Sequence, residues 1–360
     1  MKKIIYTILI GASLHSLVGC KKSVDEATPS VSSRSEADDA SARSEMQRAY
    51  DDVETVYNSD DYKNASSLRT SSNLRTTNTA LLPCGRVTFN LNNNSKNFSI
   101  DYSQSGSNCT RARVLSGSID VTLVNGTTFA DINAKLKVVF NNYKVLYSNS
   151  NQSVTYNGIA YITNTSGGSL IGLFASTPNA EIIHTVRGDL TLSFDTLGAN
   201  AFNRSWKIFR KRTFQNTPGT ATGITFKLEG DTSFASSTYF TGTTGTFNNV
   251  GEIGINVNNE KFVCDISTAF IWSNCGSSYA GPYVLKQGKV EYTSYTANPT
   301  LVLLGYTRYY WSADAGYRTD VSAASIYDET CSSDGYKLDF ALKNVSGTTS
   351  VYSATAFQAY

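Results

Sequence analysis

The chain has 360 residues, of which 40% are hydrophobic, 12% aromatic and 17% charged; a disordered chain or a coiled coil would need far more charge and fewer aromatic rings. Its formal charge of +2 includes Lys2 and Lys3, so without the first 19 residues the chain is neutral. Bulk nucleic-acid binding, which needs clustered excess positive charge, is therefore not expected. Only 2 Met stand against 22 Tyr and 26 Gly, a balance that suits pleated surfaces better than helices.

Lys2 and Lys3 precede an apolar run from Ile4 to Leu14, too short to span a membrane and of the length of a secretory signal core. The run Leu17-Val18-Gly19-Cys20 that follows resembles the bacterial lipobox, in which the cysteine is lipid-modified and becomes the new N-terminus. The expectation is a signal peptide over residues 1–19 and acyl chains, palmitate among them, on Cys20. Two or more such chains convert marginal membrane binding into a stable anchor. Lys21, rather than Asp, after the cysteine implies, by resemblance to lipoprotein sorting, delivery to the outer membrane.

Residues 20–83 are poor in large apolar side chains and rich in Ser, Thr, Asn and Asp, the composition of a tether. Within it, Met46, Ala49, Tyr50, Val53, Val56 and Tyr57 recur at three- and four-residue spacing and predict a helix near 35–57. Between Arg34 and Asp61 nine acids oppose three arginines. A solvated acidic stalk is the expectation, with a helix docked on the body as the alternative.

From Cys84 onward the period is two: Val87-Phe89-Leu91, Phe98-Ile100-Tyr102, Ile119-Val121-Leu123, Leu190-Leu192-Phe194, Ile224-Phe226-Leu228, Ile253-Ile255-Val257 and Leu338-Phe340-Leu342 alternate with polar or small residues. Alternation gives one buried and one wet face, the pattern of antiparallel sheets. Asn125-Gly126 and Asn157-Gly158 are expected at hairpin turns. The fold class expected is all-β, antiparallel, an extended sheet or a sandwich, with one N-terminal helix and two β modules over residues 84–218 and 219–360.

Export to an oxidising compartment favours disulfides. With Cys20 taken by lipid, the expected pairs are Cys84 with Cys109 and Cys275 with Cys331, leaving Cys264; pairing of Cys264 with Cys275 closes a shorter loop and stays open as the alternative.

The lipobox, the acidic helix, Cys84-Gly85-Arg86-Val87-Thr88-Phe89, Ile100-Asp101-Tyr102 before Cys109, Arg113 to Ile119, Phe140-Asn141-Asn142-Tyr143 and the Trp206 to Phe214 strand together resemble an uncharacterised family of Bacteroidetes-type β-rich outer-membrane lipoproteins. The resemblance implies location and fold class and brings no activity. The chain departs from that pattern near its end, where Tyr309-Tyr310-Trp311 and a long insertion precede the last cysteine.

Motifs for chemistry are few. His184 is the one histidine left once the signal is removed, no GxSxG elbow accompanies it, and it is expected on a strand surface. Phosphate-cradling glycine loops are absent from the sequence. Asp101 to Gly106 has the oxygen spacing of a calcium loop, but its twelfth position is Ala112, so a polar turn is expected and no metal or cofactor. Arg204, Lys207, Arg210, Lys211 and Arg212 form the dense basic cluster; a strand with a cationic wet face is expected, an anion-binding strand being the alternative. Tyr309, Tyr310 and Trp311 are candidate ligand contacts, because flat aromatic faces with polar edges suit sugars; rings packed on both faces are the competing reading. The function expected is a lipid-anchored cell-envelope protein, structural or adhesive and without catalysis, held to the membrane by its N-terminal lipid. A glycan-binding surface lipoprotein is the alternative, and a glycoside-cleaving enzyme ranks last. Partners expected are a glycan or an envelope protein.

Overall fold

The computed structural model describes residues 32–59, 62, 76–78, 82, 84–90, 97–103, 113–147, 152–173, 176–195, 202–217, 224–231, 249–256, 259–274, 283–295, 308–319, 326–343 and 350–359, and hydrophobic side chains at every second position carry most of these described residues into strands. The signal segment and Cys20 lie outside the described residues, as do Cys109 and Cys275. The fold is mostly antiparallel β-sheet with one long helix near the N-terminus of the described part. Two compact units divide it, one comprising Glu45–Lys207 and the other Ile208–Tyr360 with the segment up to Ser44.

In the first unit, β1 (Thr76–Asn78), β2 (Arg86–Asn90), β3 (Asn97–Asp101), β4 (Arg113–Asn125), β5 (Ala134–Tyr147), β6 (Gln152–Asn164) and β7 (Glu181–Asp195) pair in chain order, each antiparallel to the last. Their alternation buries Val87, Phe89, Phe98, Ile100, Tyr102, Ile119, Val121, Leu190, Leu192 and Phe194 as the sequence period demands. Asn125-Gly126 ends β4, with Gly126 at φ +94°. The loop beyond is pinned by Asp131, whose carboxylate accepts hydrogen bonds from the backbone N–H groups and hydroxyls of Thr127 and Thr128, and these hold its pKa well below the usual carboxylate range. A short helix, α2 (Leu170–Leu173), precedes β7.

Asn157-Gly158 is not a turn. Both residues lie inside β6, and the Asn157 side chain accepts a hydrogen bond of 2.8 Å from the Asn142 N–H at an irregularity of β5. Gly158 is needed there because its φ is +128° and a Cβ would stand 2.4 Å from the Asp189 carbonyl oxygen. The same dipeptide that supplies positive φ to a hairpin thus serves a strand irregularity.

Helix α1 (Ser32–Asn58) overturns the solvated-stalk expectation. Within the first unit Met46, Ala49, Tyr50, Val53, Val56 and Tyr57 are all buried, so the stripe read from sequence spacing is a packing face. At roughly 1.5–3 kcal/mol for each large side chain, this burial contributes on the order of 10 kcal/mol. Tyr57 meets Phe129 with ring centroids 5.3 Å apart, and Tyr50 meets Phe140 at 6.0 Å. Two of the helix acids turn inward as well. Glu45 pairs with Arg48 at 3.0 Å and with Arg113, and Glu54 lies 3.1 Å from His184 Nδ1. His184 is therefore buried against the helix, not on the strand surface as expected, and Phe129 packs on its ring at 5.0 Å.

In the second unit the strand order is β8 (Phe202–Asn216), β10 (Val250–Ile255), β11 (Lys261–Asn274), β12 (Tyr283–Tyr295), β13 (Arg308–Arg318), β15 (Gly335–Lys343) and β16 (Ser350–Ala359). Strand β9 (Ile224–Gly230) pairs with both β8 and β11, and β14 (Ile326–Tyr327) pairs with β13. The division between units falls inside α1 and inside β8.

The basic cluster on β8 is also corrected. Arg204, Arg210 and Arg212 are buried on the same face as Trp206 and Ile208, whereas Lys207 and Lys211 alternate with them. Each buried guanidinium has a partner that offsets desolvation. In the first unit Arg204 lies over the Phe194 ring at 4.0 Å. In the second, Arg210 pairs with Glu252, and Arg212 lies over Phe214 and Phe226 at 5.3 and 5.4 Å. Arg43 Nε also meets Glu252, at 2.9 Å. Burial alone would raise the Glu252 pKa, but the two guanidiniums outweigh it and hold the carboxyl below its usual range.

Candidate ligand-contact face

Strands β12, β13, β15 and β16 present two chemically different faces. Val290, Tyr292, Trp311, Ala315, Tyr336 and Leu338 are buried on one. The residues between them form cross-strand rows on the other. Lys289 pairs in register with Asp314, Asp314 with Lys337 and Lys337 with Phe357. The adjacent row runs Glu291, Ser312, Asp339, Thr355, with Ser312 itself buried between its neighbours.

These rows place opposite charges side by side. Lys289 Nζ lies 2.9 Å from Glu291, and Lys337 Nζ lies 3.0 Å from Asp339. Thr355 donates to Asp339 at 2.7 Å, and the Tyr310 hydroxyl donates to Glu291 at 3.0 Å. The hydrogen bond to Asp339 raises the Lys337 pKa, and partial burial raises that of Asp314 against the pull of Lys289 and Lys337. The four paired groups remain about one-third exposed, at 32% and 31% for Lys289 and Glu291 and 33% for both Lys337 and Asp339. Their polar edges therefore stay within reach of solvent while their charges cancel locally.

An aromatic group closes one end of this face. A register shift between Ala315 and Tyr317 accommodates Gly316 at φ +98°. A Cβ there would stand 2.4 Å from the Lys286 carbonyl oxygen and 3.2 Å from the Tyr327 ring, so only glycine lets that ring approach. Tyr317 then packs edge-on to Tyr327 with centroids 5.2 Å apart and meets Phe357 at 5.8 Å. Tyr327, Phe357 and Ile326 are 45%, 42% and 52% exposed. The Tyr327 hydroxyl donates to Glu329 at 2.7 Å.

The residues singled out from sequence separate on this frame. Trp311 is not an open contact: it is buried, stacked on Tyr292 at 5.2 Å and 14°, with Tyr292 in turn on Phe262 at 5.0 Å and 19°. Arg43 also lies over the Trp311 ring, at 5.9 Å. Strand alternation instead gives the open face to Tyr310, which is half-buried and bonded to Glu291. Tyr309 belongs to β13, but its side chain lies outside what is described. Cys84 and Cys331 are disulfide-bonded, and Cys264 is buried with its thiol reduced. Tyr327 and Phe357 were missed from sequence. Phe357 carries a legible signal only once β16 is placed in register, because it then continues the Lys289, Asp314, Lys337 row.

Two further carboxylates singled out by sequence or burial have local partners. In the first unit Asp52 accepts a 2.7 Å hydrogen bond from Tyr102, and desolvation raises its pKa to about 6 against the pull of that bond and of Arg113. Asp101 accepts from the N–H and hydroxyl of Ser103, a local polar turn; the rest of the calcium-like stretch lies outside the described residues. Among the described residues no group of three or more His, Cys, Asp or Glu is placed to hold a metal ion, and no helix is long and apolar enough to cross a membrane. Comparison with protein-family models, curated proteins and solved structures yields no match.

Proposed function

We infer that this chain is a lipid-anchored outer-membrane protein whose β-rich body has a structural or adhesive role in the cell envelope and no catalytic one. The observation that carries the reading joins sequence to fold: α1 begins at Ser32, 12 residues after Cys20, and further along it is packed into the body. Twelve residues reach at most roughly 40 Å when fully extended. A lipid on Cys20 would thus hold the body close to the bilayer, rather than at the end of a 64-residue tether over 20–83. The buried pairing of His184 with Glu54 and of Glu252 with Arg43 and Arg210 supports a structural use of these groups.

Two measurements test this reading. The Cys20→Ser variant should leave the membrane fraction, and retention there would contradict the anchor. Protease applied to intact cells should cleave the body if it is adhesive; a protected body would leave only a periplasm-facing structural role. A second reading, a glycan-binding surface lipoprotein, is favoured by the exposed Tyr327 and Phe357 rings beside a polar face that carries charges of both signs.

A further inference from the structure

We propose that the open face of β12, β13, β15 and β16, from Tyr310 to the Tyr317, Tyr327 and Phe357 group, binds a neutral polysaccharide. The proposal rests on the glycan-binding reading and specifies its site and ligand class.

Three features of the face select such a ligand. The first is aromatic: Tyr327 and Phe357 expose nearly half their surface, and both are braced by Tyr317. Exposed rings held in place by packing offer flat apolar surfaces to the C–H face of a sugar without loss of further side-chain freedom. The register shift at Gly316 is what allows Tyr327 into this position.

The second is charge. Lys289 is matched by Glu291 and Lys337 by Asp339, and Asp314 lies in register between the two lysines. With Glu329, which accepts from the Tyr327 hydroxyl at the ring group, an anionic chain would meet four carboxylates among six groups, and a cationic one two ammonium groups. Neither finds a face of uniform sign, so the surface complements an uncharged ligand. The third is hydrogen bonding. Ammonium groups donate, carboxylates accept, and the Thr355 and Tyr310 hydroxyls do both; at about one-third exposure the paired groups can accept further partners at their edges. Sugar hydroxyls are donors and acceptors together and match this mixture.

The face also has length. From Tyr310 to Tyr317 the strand rises roughly 23 Å at about 3.3 Å per residue, enough for several sugar units. A chain lying along β13 would have the paired charges beneath it and the ring group under one end.

The test is a binding screen of the detergent-solubilised full chain against an immobilised glycan panel. The panel contains neutral glucans, xylans, mannans and N-acetylglucosamine oligomers beside uronate and sulfated glycans. Binding to at least one neutral class is expected, with affinity falling about tenfold or more in Phe357→Ala and in Tyr327→Ala. Tyr327→Phe, which keeps the ring, should stay within about threefold of the parent. Thermal unfolding of each variant, matched to the parent, shows that the fold is kept. Binding only to anionic glycans, binding to none, or neutral binding unaltered by both alanine variants would overturn the proposal. None of these outcomes bears on membrane anchorage, which the Cys20→Ser fractionation tests separately.

Discussion

Asp52 shows how one residue can report on the state of the molecule. Desolvation raises its pKa from 3.8 to about 6 although Tyr102 donates to it and Arg113 lies near. In this window the folded chain binds the proton more tightly than the unfolded chain, so stability is highest below pH 3.8 for this group and falls as pH rises through about 6. Asp131 acts in the opposite sense: its depressed pKa adds stability above the ordinary carboxylate range, which is lost on acidification. The Asp52→Asn variant keeps an oxygen for Tyr102 and removes the ionisation. Its melting temperature at pH 8 should exceed the parent's, and the difference should shrink toward pH 4. A variant that melts below the parent at pH 8, or a difference independent of pH, would show that the carboxylate carries no such cost.

At the scale of elements, α1 is where sequence and structure part most clearly. The i, i+3, i+4 spacing of its apolar residues was legible, and so were the helix and the interiors of β2, β3, β4, β7, β9, β10 and β15, because local periodicity determines which residues share a face. What the face meets is a tertiary property. Glu45 and Glu54 look like solvent-facing acids in sequence, yet Arg113 and His184, which lie 68 and 130 positions further along the chain, turn them inward. Likewise the β8 arginines alternate correctly, but no local rule says that Phe194, Glu252, Phe214 and Phe226 will be waiting on the buried side. Strand alternation sets Tyr310 and Trp311 on opposite faces, and it is the stack of Phe262, Tyr292 and Trp311 that decides which of the two is buried. The docked helix predicts a large cost for Val53→Asp. An uncompensated charge at this fully buried site should lower unfolding free energy by about 3–5 kcal/mol, read by urea denaturation, and hydrogen exchange over residues 45–58 should rise. Unchanged stability and exchange would restore the solvated stalk.

For the whole molecule, the lipid proposed on Cys20 would be joined to a β-rich body in which His184, Glu54, Arg210 and Glu252 are buried in pairs. With a lipid on Cys20, as proposed, the docked helix would begin 12 positions after the anchor, at Ser32, rather than the body beginning after Pro83. The neutral polysaccharide proposed above would lie along the open sheet face of a body anchored in this way, over the paired charges of β12, β13 and β15. The Cys84 and Cys331 bonds fit an oxidising compartment, with Cys109 and Cys275 as the proposed partners. The central claim is the lipid on Cys20, and intact mass spectrometry of the N-terminal proteolytic fragment from membrane-purified protein tests it most directly. The account predicts a fragment that begins at Cys20 and carries the added mass of two or more acyl chains. A fragment that begins elsewhere, or one with an unmodified Cys20, would contradict it.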